Sequence, residues 1–137
     1  MTPVRVLGLG IALLASLASS LAPVAARAGE VIAHPALELD AEEIRDVYLG
    51  EKQLAGRLKL LPVDNSAIQN EFLAKVLQTD ARKYAARWTK KSFREGLAIP
   101  AVKGSDAEVI AYVRATPGAI GYISGTAPPV VKLLAKF

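Results

Sequence analysis

The residues of this sequence with the clearest capacity for chemistry lie in a short polar turn, residues 64–69, which reads Asp-Asn-Ser-Ala-Ile-Gln. Ser66 and Gln69 stand three residues apart in a capping-box pattern, which predicts that a helix begins at this turn. The first N–H groups of a helix have no intrahelical partner and carry the positive end of its dipole, so they can hold an anion. The turn is therefore a candidate anion site, with a purely structural helix cap as the alternative.

The first 28 residues have the pattern of a secretory signal peptide. Arg5 precedes an apolar run without charges, Val6 to Ala22, and the small residues Ala26 and Ala28 fit the rule for signal peptidase. We predict cleavage after Ala28, export to the periplasm, and one mature domain over residues 29–137. The alternative is an uncleaved membrane anchor, because the apolar run approaches the length that spans a bilayer.

The residue types needed for thiol, metal or nucleophilic chemistry are nearly absent. The sequence has no cysteine, and its single histidine, His34, precedes Pro35. Neither a Gly-rich phosphate loop nor a His-Glu-x-x-His motif occurs. Glu42 and Glu43 are adjacent on a predicted helix and so point in different directions, and Ser66 has no evident base. We predict that the protein is not an enzyme and uses no cofactor or metal.

Apolar periodicity predicts an alternation of strands and helices. Short apolar runs predict strands at residues 31–33, 58–63, 119–123 and 130–137. Capping residues predict helices that begin after Asp40, Ser66, Asp80 and Ser105. Residues 92–104 show little periodicity and contain two glycines and a proline, which predicts a long loop. The order of elements indicates the α/β class, with a small mixed sheet flanked by helices.

Charge is distributed unevenly along the chain. Seventeen Lys and Arg against thirteen Asp and Glu give a net charge of +4. Residues 30–51 contain seven acids and one base, whereas residues 75–94 contain seven bases and one acid. A solvated basic face is one interpretation, and attraction of an anionic ligand or partner is the other. Nucleic acid is not expected as a partner, because the protein is predicted to be exported.

Three segments, in this order, resemble the phosphate-binding proteins of bacterial ABC transporters. The first is residues 39–50, Leu-Asp-Ala-Glu-Glu-Ile-Arg-Asp-Val-Tyr-Leu-Gly. The second is the predicted strand and the turn at Ser66, followed by Phe72. The third is residues 104–122, which end in the most specific piece, Pro-Gly-Ala-Ile-Gly-Tyr. The resemblance covers about residues 31–124.

The resemblance implies a short, single-lobe relative of that family. Full-length members have two lobes that close over phosphate, and this chain is similar to the second lobe only. That lobe supplies a Ser-Gly-Thr sequence at the start of a helix, where Ser66, Ala67 and Ile68 stand here. Ser66 retains the hydroxyl, and Ala67 still offers its N–H group. Ile68 does not replace the hydroxyl of the threonine.

The resemblance also implies a cation near the turn, because an Arg of the family pairs with the phosphate. Here Asp64 stands about where that cation is wanted, and a carboxylate beside a bound phosphate weakens binding. Arg94 or Lys91, near the predicted long loop, is the candidate substitute. The anion-binding residues predicted from the turn and the resemblance are Asn65, Ser66, Ala67, Ile68 and Arg94.

We expect an exported, periplasmic protein that resembles substrate-binding proteins and binds or senses phosphate or a similar oxyanion, in association with phosphate ABC transport. One lobe gives an open groove, so the isolated chain is expected to bind weakly, and a tight site requires a homodimer or a partner for its other wall. The alternative is a ligand-free interaction or sensory module of the cell envelope that keeps only the scaffold. Contact with a membrane is expected only through a partner.

Overall fold

Five strands form one mixed sheet at the centre of residues 28–137, the part of the chain that the computed structural model describes. All the strands of this part, including a separate hairpin of β2 and β3, are Glu30–Ala33 (β1), Leu54–Ala55 (β2), Leu58–Lys59 (β3), Leu61–Asn65 (β4), Ala101–Lys103 (β5), Ala119–Ile123 (β6) and Lys132–Lys136 (β7). The order across the central sheet is β5-β4-β6-β1-β7. The predicted α/β class with a small mixed sheet is confirmed.

Helices connect and cover these strands. They are Ala41–Tyr48 (α1), Gln69–Phe72 (α2), Ala81–Glu95 (α3) and Asp106–Ala115 (α4). The short helix α2 continues directly as a π-helical turn, Leu73–Leu77. No helix within residues 28–137 is long and apolar enough to cross a membrane. The predicted signal peptide, residues 1–28, lies outside the described residues except for Ala28.

The sheet has helices on both faces, and alternate strand residues point to each. Strand β4 pairs in parallel with β5 and β6, whereas β1 pairs antiparallel with β6 and β7. Helix α4, which connects β5 to β6, buries Val109 and Val113 on one face. Helices α1, α2 and α3 pack on the other face, where Ile120 and Tyr122 of β6 point. Two apolar cores therefore share one sheet.

Aromatic side chains fill the core on the face that α1, α2 and α3 cover. The ring of Phe72 stacks on Tyr122 with centroids 3.9 Å apart, and the ring of Tyr48 meets Phe72 edge-on at 4.7 Å. The indole Nε1 of Trp88 donates to the carbonyl of Tyr48 at 2.9 Å. These contacts bind α1, α2 and α3 to one another and to β6.

Three of the predicted helix caps are confirmed. The side chain of Asp40 accepts from the N–H of Glu43, which completes a capping box, and that of Asp80 accepts from the N–H of Lys83. Ser105 likewise caps α4 by accepting from the N–H of Glu108. In a complete capping box the carboxylate of Glu108 would accept from the N–H of Ser105. Here it accepts from the N–H of Gly104 instead.

The predicted cap at Ser66 is wrong. Helix α2 begins at Gln69, its N-cap is Ile68, and no side chain caps it. The reason is the preceding residue, because the side chain of Asn65 accepts from the N–H of Ala67 and turns the chain first. The hydroxyl of Ser66 is left exposed.

The loop predicted over residues 92–104 is shorter than expected. Helix α3 continues through Glu95 and ends at Gly96, which has a left-handed φ of 66°, and β5 occupies residues 101–103. An ion pair between Lys91 and Glu95, four residues apart, supports the last turn of the helix. The predicted strand at residues 58–63 is also divided, into β3 and the start of β4 on either side of Leu60.

The close approach of α4 to the sheet yields a first prediction, at Gly121 of β6. A Cβ atom there would lie 2.5 Å from Cγ1 of Val109 and 3.2 Å from Cγ2 of Val63. Gly121→Ala should therefore overpack this core and lower the free energy of unfolding by about 1–3 kcal/mol. Urea unfolding monitored by Trp88 fluorescence measures the change.

Gly125→Ala is the matched control, because a Cβ atom at Gly125 meets only an ordinary contact at 3.7 Å. Equal stability of Gly121→Ala and the unsubstituted protein would contradict the described packing of α4 on β6.

Candidate functional site

The parallel strands β4, β5 and β6 end at the same edge of the sheet, which we call the carboxyl edge. It consists of residues 65–68, 103–106 and 124–125. The helices that follow β4 and β5 pack on opposite faces, so the strand order reverses at β4. Open α/β sheets bind ligands outside the carboxyl ends of their strands at such a reversal. The predicted anion-binding residues after β4 lie at this position.

Asn65, the last residue of β4, joins the three parts of the carboxyl edge. Its side chain is fully buried, and its Nδ2 donates to Oδ1 of Asp106 at 2.8 Å and to the carbonyl of Tyr122 at 3.1 Å. Its Oδ1 accepts from the N–H of Ala67 at 3.0 Å. One amide therefore holds the turn after β4, the start of α4 and the end of β6 together.

Several hydrogen-bond donors of the carboxyl edge converge on the carboxylate of Asp106. Besides Asn65, it accepts from the backbone N–H of Ser124 at 3.0 Å, from the hydroxyl of Ser124 at 2.7 Å, and from the backbone of Gly125. Burial by itself raises the pKa of Asp106, but these hydrogen bonds outweigh it and hold the pKa below its usual value. Asp106 is thus an oxyanion of the chain itself, bound by four donors in the first turn of α4.

The predicted N–H donors after β4 are engaged within the chain. The N–H of Ser66 donates to the carbonyl of Lys103 at 2.9 Å, and the N–H of Ile68 donates to the carbonyl of Asn65 at 3.2 Å. The N–H of Ala67 donates to the side chain of Asn65. Of the predicted groups at this turn, the hydroxyl of Ser66 is the one that faces solvent, since the side chain of Ile68 is fully buried.

Asp64 does not lie where an anion would meet it. Its side chain is only 2% exposed and points into the core, where it accepts from the hydroxyls of Tyr84 and Tyr122, each at 2.8 Å. The reason is the alternation of side chains along β4, which places Asp64 and Asn65 on opposite faces. The expectation that Asp64 repels an anion bound at the turn is therefore wrong. The carboxylate that lies at the carboxyl edge is that of Asp106.

Burial governs the ionisation of this cluster. It raises the pKa of Asp64, while hydrogen bonds from Tyr122, Tyr84 and Gln69 act in the opposite direction. Burial, together with the nearby charge of Asp64, also raises the pKa of Tyr84 and of Tyr122. Both phenols therefore stay protonated and remain donors to Asp64. The cluster is a structural anchor between α3, β4 and β6.

Arg94 lies in the last turn of α3, not in a loop. The hydroxyl of Tyr84, on the same helix, contacts Asp64, and Arg94 follows ten residues later, about 15 Å further along the helix axis. It lines a shallow basin of about 290 Å³ together with Glu51, Arg87, Lys90, Lys91 and Glu95. None of residues 65–68 lines that basin, so the structure does not bring Arg94 to the predicted anion site.

Sequence reasoning did not identify the roles of Asp106 and Ser124. Both were visible as polar residues at element ends, one at the start of α4 and one directly after β6. They lie 41 and 59 positions after Asn65 in the sequence. The parallel pairing of β4 with β5 brings Asp106 to Asn65, and the parallel pairing of β4 with β6 brings Ser124 there. Within residues 28–137, no group of three or more His, Asp or Glu side chains is placed to hold a metal ion.

Comparison with known proteins gives one distant likeness. No family model matches the chain, and no curated protein matches it. Among solved structures it is similar to an ABC-type phosphate transport receptor from Vibrio cholerae, with 17% identity and a TM-score of 0.49. The match covers 77% of this chain and 44% of the receptor, so the chain spans less than half of the receptor's length. A likeness this distant concerns the path of the chain and says nothing about a ligand.

The buried carboxyl of Asp64 yields a prediction about pH. Its folded pKa is raised above the unfolded value, so the folded state binds the proton more tightly. The stability of the protein minus that of Asp64→Asn should therefore be greatest at low pH and fall as pH rises from about 4 through the raised pKa, by at most about 1.4 kcal/mol per pH unit. Urea unfolding of both proteins across this range measures the difference.

Subtracting the stability of Asp64→Asn cancels the contributions of all other titrating groups, because both proteins contain them. Glu42→Gln, at an exposed position of α1, controls for the loss of a surface carboxylate. A difference that rises with pH would contradict the prediction, because it would mean that the tyrosine hydroxyls stabilise the charged carboxylate more than burial destabilises it.

Proposed function

We propose that this chain is an exported, periplasmic binding or sensing protein for phosphate or a similar oxyanion, associated with phosphate ABC transport, and that it is not an enzyme. The observation that carries the proposal is the convergence of four donors on the carboxylate of Asp106 at the carboxyl edge. These donors stabilise an oxyanion, and an external anion of similar charge competes for the same groups. The resemblance of three sequence segments to phosphate-binding proteins agrees with this assignment.

Binding by the isolated chain is weak in this account. An incoming anion gains the exposed hydroxyl of Ser66, but it must displace Asp106 from Asn65 and Ser124 or share those donors with it. The charge of Asp106 also repels it. A homodimer or an envelope partner that adds cations above the carboxyl edge would supply the missing wall.

Thermal unfolding with and without phosphate tests the proposal, with sulfate and chloride at matched ionic strength as controls. Millimolar phosphate at about ten times the dissociation constant adds about 1.4 kcal/mol to stability. We therefore expect a phosphate-specific rise in Tm of several degrees, since each kcal/mol moves Tm by about 4–8 °C in a domain of this size. An equal rise with sulfate, or no rise, would contradict phosphate recognition.

Two substitutions locate the site in the same assay. Asp106→Asn removes the competing charge but keeps a side-chain oxygen as an acceptor, so phosphate should bind about tenfold more tightly or better. Ser66→Ala should weaken binding without loss of stability, because its hydroxyl is exposed. Glu42→Gln, which removes a carboxylate on α1, should bind phosphate like the unsubstituted protein. Unchanged binding by Asp106→Asn would exclude the carboxyl edge as the site.

A ligand-free interaction or sensory module is the second candidate. It is favoured by the engagement of the N–H groups of Ser66, Ala67 and Ile68 with oxygens of the chain itself. A carboxyl edge whose donors are satisfied internally needs no ligand to be stable. Absence of any phosphate response in both the unsubstituted protein and Asp106→Asn would support this function over oxyanion binding.

A further inference from the structure

The outer face of α3 carries an aromatic side chain that contributes nothing to the core. Phe93 is 92% exposed, whereas Tyr84 and Trp88 of the same helix are buried. At about 100° per residue, Arg82, Ala86 and Phe93 lie within about 40° of one another, on the side opposite Tyr84. This helix therefore presents a continuous outer face that no described part of the chain covers.

Four cations lie on this outer face or on its flank, within about 100° of Phe93 around the helix, and none pairs with an acidic side chain of residues 28–137. They are Arg82, Lys83, Lys90 and Arg94. They extend along most of a 15-residue helix, which is about 22 Å long. Unpaired cations in such a row attract a surface that carries many negative charges, rather than one small anion.

The acids that flank this face are already paired. Glu51 accepts from Arg87 and Lys91, and Glu95 pairs with Lys91. These pairs neutralise the inner flank of α3 and leave its outer face positive. The charge of the face is therefore complementary to an anionic partner.

The shape of the face favours a membrane over a protein. Protein hot spots are clusters of large side chains that fill well-packed pockets. Around Phe93 the face offers the small exposed residues Ala86 and Thr89 and no such cluster. One ring with a row of flexible cations suits a bilayer surface, because the ring enters the boundary between headgroups and acyl chains while Lys and Arg reach the phosphates.

We propose that the outer face of α3 binds the surface of an anionic phospholipid bilayer. In this arrangement Phe93 inserts at the level of the headgroups, and Arg82, Lys83, Lys90 and Arg94 contact lipid phosphates. This departs from the sequence-based expectation that the protein meets a membrane only through a partner. The proposal does not depend on oxyanion binding at the carboxyl edge, which involves other residues.

Co-sedimentation of the protein with lipid vesicles tests the proposal. The sample is the whole protein, isolated from the envelope of cells that express it. The vesicles are phosphatidylcholine alone and phosphatidylcholine with roughly one-third phosphatidylglycerol, at about 0.1 M salt. We expect binding to the anionic vesicles, little binding to the neutral ones, and weakening at about 0.5 M salt. All variants keep the same N-terminal segment, so a difference between them arises from the folded domain.

A charge-reversed variant, Arg82→Glu, Lys83→Glu and Lys90→Glu together, should lose at least about a hundredfold in affinity for anionic vesicles, since each cation contributes about fivefold. Its control reverses three exposed cations elsewhere, at Arg57, Lys59 and Lys136, and should stay within about threefold of the unsubstituted protein. Both variants change the net charge equally. Trp88 fluorescence and Tm establish that each one is folded.

Phe93→Ser should lose about tenfold, whereas Leu54→Ser, at another exposed apolar residue, should lose nothing. Failure of the unsubstituted protein to bind anionic vesicles would overturn the proposal, and so would equal losses in the two charge-reversed variants. Capture of an acidic protein by this face without any binding to vesicles would also overturn it, in favour of a protein partner.

Discussion

The buried side chain of Asn65 is the interaction on which the rest of the carboxyl edge depends. Its amide is bonded at both ends, to Asp106 and the carbonyl of Tyr122 on one side and to the N–H of Ala67 on the other. Loss of this amide would leave buried polar groups without partners, at about 1–3 kcal/mol for each. The direction of the turn after β4 and the position of α4 on the sheet both follow from it.

The side chains of strand β4 alternate between the two faces of the sheet, which places the polar groups of Asp64 and Asn65 in different environments. Asp64 points to the face of α3, where two tyrosine hydroxyls bind it inside the core, and Asn65 points to the carboxyl edge. The first arrangement ties helices to the sheet and has no access to a ligand. The second gathers donors around Asp106 near the exposed hydroxyl of Ser66. Stability and proposed binding are therefore assigned to neighbouring residues of one strand.

Local patterns in the sequence were sufficient for most elements but not for the site. The caps at Asp40, Asp80 and Ser105 act within four residues of themselves, and the buried run of β6 reads directly as a strand. The cap expected at Ser66 failed because Asn65, one residue earlier, makes the competing bond. The last turn of α3 buries none of its residues, so it lacked the apolar periodicity of a helix and resembled a loop.

The role of Asp106 could not be predicted from the sequence, for a different reason. Its partners Asn65 and Ser124 are distant in sequence, and their meeting depends on the register of β4 with both of its parallel neighbours, β5 and β6, which no local pattern encodes. The resemblance to phosphate-binding proteins indicated the turn at Ser66 and left the carboxylate of Asp106 unnoticed. The carboxylate of Asp106 already occupies the hydrogen-bond donors that an external anion would need.

An NMR titration with phosphate, followed at each backbone amide, would test directly whether the carboxyl edge binds an oxyanion. If the carboxyl edge binds phosphate, the amide signals of Ser66, Ser124 and Gly125 should shift and saturate together, shift further in Asp106→Asn, and stay unchanged with sulfate. Shifts confined to the cations of α3, or no saturable shift at the carboxyl edge in either protein, would contradict the assignment of an oxyanion site to that edge.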